Sequence, residues 1–151
     1  MFSSKDKLFM KRAIELAKES FEDGEVPVGA VVVRDEKIIG EGKNKVISDM
    51  DITSHAEINA IREASKKIKN YRLKDCSMYV TLEPCHMCSK AAVDARLSSI
   101  IFAASEPKTG SIISIDNFLD KKELNHNPTY QHGLLKEESS KLLIDFFRLR
   151  R

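Results

Sequence analysis

Apolar and polar positions recur along this chain with periods that change from segment to segment. Between Lys5 and Phe21, residues Leu8, Phe9, Ala13, Leu16, Ala17 and Phe21 fall mostly at helical spacing among charges. That predicts an amphipathic first helix, ended by Asp23-Gly24. Pro27 to Val33 and Lys37 to Gly42 are short apolar runs around Arg34-Asp35-Glu36, the pattern of a hairpin. Asn44 to Ser54 is polar without periodicity and reads as a loop delivering the chain to His55. Helical spacing then returns, with Ile58, Ala60, Ile61, Ala64 and Ile68 on one face and Lys66, Lys67 and Lys69 toward water. Met78 to Leu82 reads as a strand, and Pro84 as the opening of a second helix whose Ala91, Ala92 and Ala95 allow close approach to a sheet. Leu97 to Ala104 supplies another strand through Ile100, Ile101 and Phe102, followed by a loop from Ser105 to Ser111. Ile112 to Leu119 predicts a short helix, Lys121 to Gly133 an irregular polar stretch, and Leu134 to Arg151 a final helix carrying Leu135, Leu142, Leu143, Phe146 and Phe147. Helices alternating with strands in this order suit an α/β sheet whose ligands gather at strand ends.

Composition narrows the class. With 151 residues the chain reads as one domain, 1–151, able to bury a core without disulfides. A net charge of +2 permits a nucleic-acid partner without requiring one. Three cysteines do not form a disulfide framework, the N-terminus lacks a signal pattern, and no apolar run is long enough to span a bilayer. A reducing cytoplasm is the expected setting.

The chemistry concentrates in two short stretches, His55-Ala56-Glu57 and Pro84-Cys85-His86-Met87-Cys88. A catalytic zinc ion takes three protein ligands and keeps a fourth position for water, and His55, Cys85 and Cys88 supply that set. On a helix opening at Pro84, Cys85 and Cys88 stand one turn apart, roughly 60° around the axis, where the helix N-terminus favours thiolates. His86 on the same helix points about 100° from Cys85 and about 160° from Cys88, away from the pair. Glu57 reads as the acid–base group, against the alternative of a capping box in which Ser54 is the N-cap and Glu57 stands at N3. For the two cysteines the alternatives are a redox dithiol, which leaves H-x-E unexplained, and a closed structural site, which needs a fourth strong ligand. Cys76 reads as a small buried hydrophobe at a strand start, and His126 and His132 are assigned to no metal. Asn44 can present a donor and an acceptor to a nucleobase edge, or can be a turn residue. The basic end Arg148-Leu149-Arg150-Arg151 complements a helix dipole and also suits RNA contacts.

H-x-E followed by P-C-x-x-C is the pattern of zinc deaminases. Beyond it, the chain resembles the bacterial tRNA-specific adenosine deaminases over nearly its whole length. The resemblance is carried by Glu25-Val26-Pro27-Val28-Gly29-Ala30-Val31, His55-Ala56-Glu57-Ile58, Tyr71-Arg72-Leu73 and Tyr79-Val80-Thr81-Leu82-Glu83-Pro84-Cys85. Lys108-Thr109-Gly110, Leu124-Asn125-His126 and Asp145-Phe146-Phe147-Arg148-Leu149-Arg150-Arg151 add to it. It implies a cytidine deaminase-like three-layer α/β/α fold with a central mixed five-stranded sheet, and a homodimer whose partner helps shape each site. The implied reaction is conversion of the wobble adenosine of a tRNA anticodon, typically that of the arginine tRNA, to inosine. On this likeness His55, Cys85 and Cys88 hold zinc, Glu57 moves protons and Asn44 contacts the flipped adenine. Glu106 would face a ribose 2′-hydroxyl, and Phe147 and Arg148 would lie near the RNA. The chain departs from the family pattern at Ala103-Ala104-Ser105-Glu106-Pro107, at His86, where a small apolar residue is usual, and at Ile52, where proline is usual. Competing readings are a deaminase of free nucleobases or nucleosides such as guanine or cytosine, and a zinc-stabilised module without activity.

Overall fold

The computed structural model describes residues 1–150, and Arg151 lies outside the described residues. Helix α1, Ser4–Glu22, starts with a capping box in which the Ser3 hydroxyl accepts from the Asp6 amide and the Asp6 carboxylate accepts from the Ser3 amide. It buries Phe9, Met10, Ala13, Ile14, Leu16 and Ala17, while Leu8, expected on that face, turns to solvent. The predicted hairpin forms as strands β1, Gly29–Arg34, and β2, Lys37–Lys43. Asp35 and Glu36 both take positive φ, 51° and 62°, the twist a two-residue turn needs to match its strands.

The stretch expected as loop after β2 contains one helical turn, α2, Val46–Asp49. Helix α3, Ala56–Ile68, follows, then strand β3, Ser77–Leu82, helix α4, His86–Asp94, and strand β4, Ser99–Ala104. Pro84 does not open α4. Its carbonyl accepts the Ser111 amide, the chain stays extended through Cys85 (φ −77°, ψ 177°), and Cys85 becomes the N-cap. Ile112 to Leu119 is not a helix either: the Ile115 and Phe118 amides pair with the carbonyls of Gly110 and Ser111 and not four residues back, and only Phe118–Asp120 forms a 3-10 turn. Within the stretch expected to be irregular lies strand β5, Thr129–His132. The last helix, α5, runs Lys136–Leu149.

The strands form one mixed sheet in the order β2-β1-β3-β4-β5, antiparallel on the β2 side of β3 and parallel beyond it. Alternation along the strands divides the core in two. Ala30, Val32, Met78, Val80, Ile100 and Phe102 face α3 and α4. Val31, Val33, Tyr79, Ile101 and Ala103 face α1 and α5. This is the α/β/α layering around a five-stranded mixed sheet that the sequence resemblance implies.

Candidate active site

Two helix N-termini meet on one face of the sheet, at the end of β3. Strand β3 delivers Leu82-Glu83-Pro84 to the start of α4, placing Cys85 at its N-cap and Cys88 in its first turn. Helix α3 is brought to the same place by its seat on β2, where Ala56, Ala60 and Ala64 lie against Gly40 and Gly42. A Cβ on Gly42 would stand 2.1 Å from the Ala56 carbonyl oxygen, so only glycine permits this approach. His55 is the N-cap of α3.

The three residues expected to bind metal are brought together. His55 Nδ1 lies 3.8 Å from Cys85 Sγ and 3.4 Å from Cys88 Sγ, and all three donor atoms fall within 4.8 Å of one another. Around a tetrahedral metal with bonds of about 2.0 Å to nitrogen and 2.3 Å to sulfur, N···S edges come to roughly 3.6 Å. The observed separations bracket that value, so the set fits such an ion without rearrangement. Among the described residues no fourth histidine, cysteine or carboxylate joins the group. Hydrogen bonding from Cys88 and His55 draws the Cys85 thiol down to about 3 against the pull of burial. His55 is pushed up, first by its hydrogen bond to Cys85 and then by the charge of Glu57. A thiolate held at a helix N-terminus beside an imidazole is a donor set that calls for a thiophilic cation.

Glu57 is 4% exposed, and burial raises its carboxyl to about 7. The capping-box reading of this residue fails. His55 rather than Ser54 is the N-cap, and no side chain caps α3. The Ser54 hydroxyl instead donates to Asp49 Oδ2 at 2.6 Å. Glu57 therefore has no part in a capping box with Ser54, and it lines the same cavity as His55 and Cys85. His86 turns away as expected, with Nε2 2.9 Å from Asp116 Oδ2 and its ring edge-on to Phe118.

A cavity of about 350 Å³ opens above these groups, walled by Val26, Val28, Asn44, Ile47, Ala56, Leu82, Glu106 and Thr109 and reaching His55, Glu57 and Cys85. That volume suits a single small ligand or ring system. Asn44 is fixed in place, Nδ2 donating to Val26 O at 3.2 Å and Oδ1 accepting from Val46 N at 3.3 Å, so the turn role and the cavity position coexist. Glu106 Oε1 accepts the Lys108 amide at 2.9 Å. Phe147 and Arg148 are exposed on α5 and do not line the cavity. Arg150 lies over the Phe146 ring at 4.7 Å and donates to the Gly24 carbonyl.

Two buried carboxylates at the cavity went unread in the sequence. Glu25 binds the amides of Ile47 and Ser48, and Glu83 binds those of Glu106, Ile112, Ile113 and Ser114. Burial opposes ionisation of Glu83, but these amides and the Ser114 hydroxyl outweigh it and hold the carboxyl below its usual range. The only signal in the sequence was an acid just before a proline-containing turn in both stretches.

Comparison with known proteins agrees with this geometry. The MafB19-like deaminase family model matches residues 3–151. The tRNA-specific adenosine deaminase of Haemophilus influenzae is 47% identical over 147 residues, 97% of this chain and 85% of that protein. Its namesake in Aquifex aeolicus is 45% identical over 140 residues, covering 93% and 92%. A solved structure from work on A-to-I editing by tRNA:A34 deaminases superimposes with a TM-score of 0.88 at 38% identity, covering 90% of this chain and 99% of the other. The sheet order, the paired helix starts and these relatives converge: this chain has the cytidine deaminase-like fold and belongs to the tRNA-specific adenosine deaminase family.

Proposed function

We propose that this enzyme hydrolytically deaminates the wobble adenosine of a tRNA anticodon, typically that of the arginine tRNA, to inosine, with zinc as cofactor. The observation that carries the reading is the convergence of His55 Nδ1 and the two thiols at a cavity where Glu57 is buried. The names of the relatives supply the substrate, and the donor set supplies the metal.

His55, Cys85 and Cys88 would hold zinc, whose Lewis acidity lowers the pKa of water toward neutrality. Glu57 takes a proton from the attacking water and passes it to the ring nitrogen of adenine, then carries the remaining proton of the added hydroxyl to the exocyclic amine, which departs as ammonia as the carbonyl forms. Water and adenosine thus give inosine and ammonia with every proton accounted for. Asn44 orients the base. Each of its amide atoms makes one internal bond, which leaves one N–H and one lone pair for a purine edge and fixes the rotamer beforehand. Val26, Val28, Ile47 and Leu82 give the flipped base apolar walls. Glu106 faces the ribose, and Phe147 and Arg148 meet the RNA outside the cavity. The chain acts as one catalytic domain, 1–151, in the cytoplasm where tRNA is found, and among the described residues no helix is long and apolar enough to cross a membrane. Two copies pair, covering Ile47 of the cavity wall and the exposed Met50 and Ile52 that follow it in the chain, and sedimentation at twice the chain mass checks this.

Glu57→Gln decides between enzyme and inert module. Glutamine keeps the shape but cannot carry the proton, so metal content and melting temperature stay near wild type while inosine formation falls by about two to four orders of magnitude. Metal analysis and sequencing of a treated anticodon stem-loop measure both. Undiminished turnover refutes the role of Glu57, and ammonia released from free guanine or cytosine but not from RNA refutes the substrate.

A further inference from the structure

We infer that Glu83 is a positioning residue that presets the 106–114 wall of the cavity, and so governs how well substrate is held without touching the reacting atoms. The inference rests on the reading of the cavity as the deaminase site. Glu83 is 3% exposed at the end of β3, and the loop from Glu106 to Ser114 wraps around its carboxylate. Oε1 accepts the Glu106 amide at 3.0 Å and the Ser114 hydroxyl. Oε2 accepts the amides of Ile112 at 3.0 Å, Ile113 at 2.8 Å and Ser114 at 3.0 Å. Four backbone donors and a hydroxyl fill the capacity of one carboxylate, so no lone pair is left to serve as a base toward substrate.

Packing closes the arrangement. A Cβ on Gly110 would lie 2.3 Å from Glu83 Cδ, so the loop crosses the carboxylate with no space for any larger residue. The Ser111 amide is taken by Pro84 O, and the Glu83 amide by Ala104 O. His86 and Asp116 fasten the far end of the same segment to α4. The other side of this loop carries Glu106 and Thr109 into the cavity wall. Without the carboxylate, four amides lose their acceptor and the stretch has no regular structure to fall back on. A wall set before substrate arrives does not have to be ordered during binding, which is how preorganisation raises affinity.

The test has three parts on zinc-loaded protein. In the wild type without RNA, the amides of Ile112, Ile113 and Ser114 exchange with deuterium far more slowly than that of the exposed Thr109. In Glu83→Gln, zinc content is kept, while KM for an anticodon stem-loop rises about ten- to a hundredfold and kcat changes little, as expected when a misplaced wall weakens holding rather than chemistry. Ser114→Ala, which removes one tie and leaves the carboxylate, shifts KM in the same sense by a smaller factor. Exchange at Ile112 to Ser114 as fast as at Thr109, a folded Glu83→Gln with unchanged KM, or a loss confined to kcat overturns the inference. Should Glu83→Gln fail to fold, an unchanged KM in Ser114→Ala overturns it. Absence of inosine formation by the wild type, by contrast, would strike the functional reading and leave the exchange result to judge the clamp.

Discussion

Glu25 uses both carboxylate oxygens on the backbone of α2, accepting the Ile47 amide at 3.0 Å and the Ser48 amide at 2.8 Å. Burial pushes its carboxyl up, but the Ser48 and Ile47 amides outweigh burial and hold it below the ordinary 4.5. A carboxyl depressed in the folded state adds stability above its unfolded pKa, and that stability is lost as pH falls through the folded value. The gap in melting temperature between wild type and Glu25→Gln should therefore be constant above about pH 5 and shrink once pH falls below 4.5. An equal gap at pH 3 and pH 7 would show that the tie does not depend on ionisation. At this scale the legible residues were those whose chemistry depends on short spacing. H-x-E and C-x-x-C put their donors at the first turns of two helices, and the structure brings His55, Cys85 and Cys88 together there with Glu57 buried beside them. Glu25 and Glu83 were illegible because their partners lie more than twenty residues away and are backbone amides, which carry no residue identity.

Helix α3 and strand β2 pack backbone against backbone, through Gly40 and Gly42 on one side and Ala56, Ala60 and Ala64 on the other. Because Ala56 directly follows His55, any thickening of this seat displaces a residue of the proposed zinc site. Gly42→Ala is expected to cost about 1–3 kcal/mol as an overpacked contact and to weaken zinc retention, read as a lower Tm and a lower chelator concentration for half-loss. A wild-type Tm with wild-type retention would mean that the seat yields without moving His55. Elements with strong periodicity were readable from the sequence, and their errors have physical causes. Strand β5 is mostly exposed, so Thr129-Tyr130-Gln131-His132 lacks the apolar alternation that marks a strand, and its polarity is what protects an exposed sheet edge. Ile112, Ile113, Ile115, Phe118 and Leu119 have helical spacing, but the Ile115 and Phe118 amides go to the carbonyls of Gly110 and Ser111, five and seven residues back, instead of closing helical turns.

At the scale of the whole molecule, the sheet keeps two cores apart, and the C-terminal end bears on the fold and, under the function proposed above, on the RNA. Phe146 is buried edge-on against Phe21 of α1, and Arg150 covers its ring while donating to Gly24, one residue before Glu25. The arginines that the sequence left open to either a helix-dipole or an RNA role thus separate: Arg150 is spent on joining α5 to the end of α1, while Arg148 stays exposed beside Phe147 with no ion-pair partner among the described residues. Arg150→Ala should lower Tm by roughly 1–4 °C through loss of the stacked cation. Its effect on the salt dependence of binding should be small. Arg148→Ala should leave Tm unchanged, weaken binding of the anticodon stem-loop, and reduce the slope of log K against log salt by about 0.7, the value of one phosphate contact on a single strand. Melting curves and binding titrations at several salt concentrations read both outcomes. The two variants trading places, with Arg150→Ala losing the slope and Arg148→Ala the stability, would assign the RNA contact to the wrong arginine and imply that α5 detaches from Gly24 when RNA arrives.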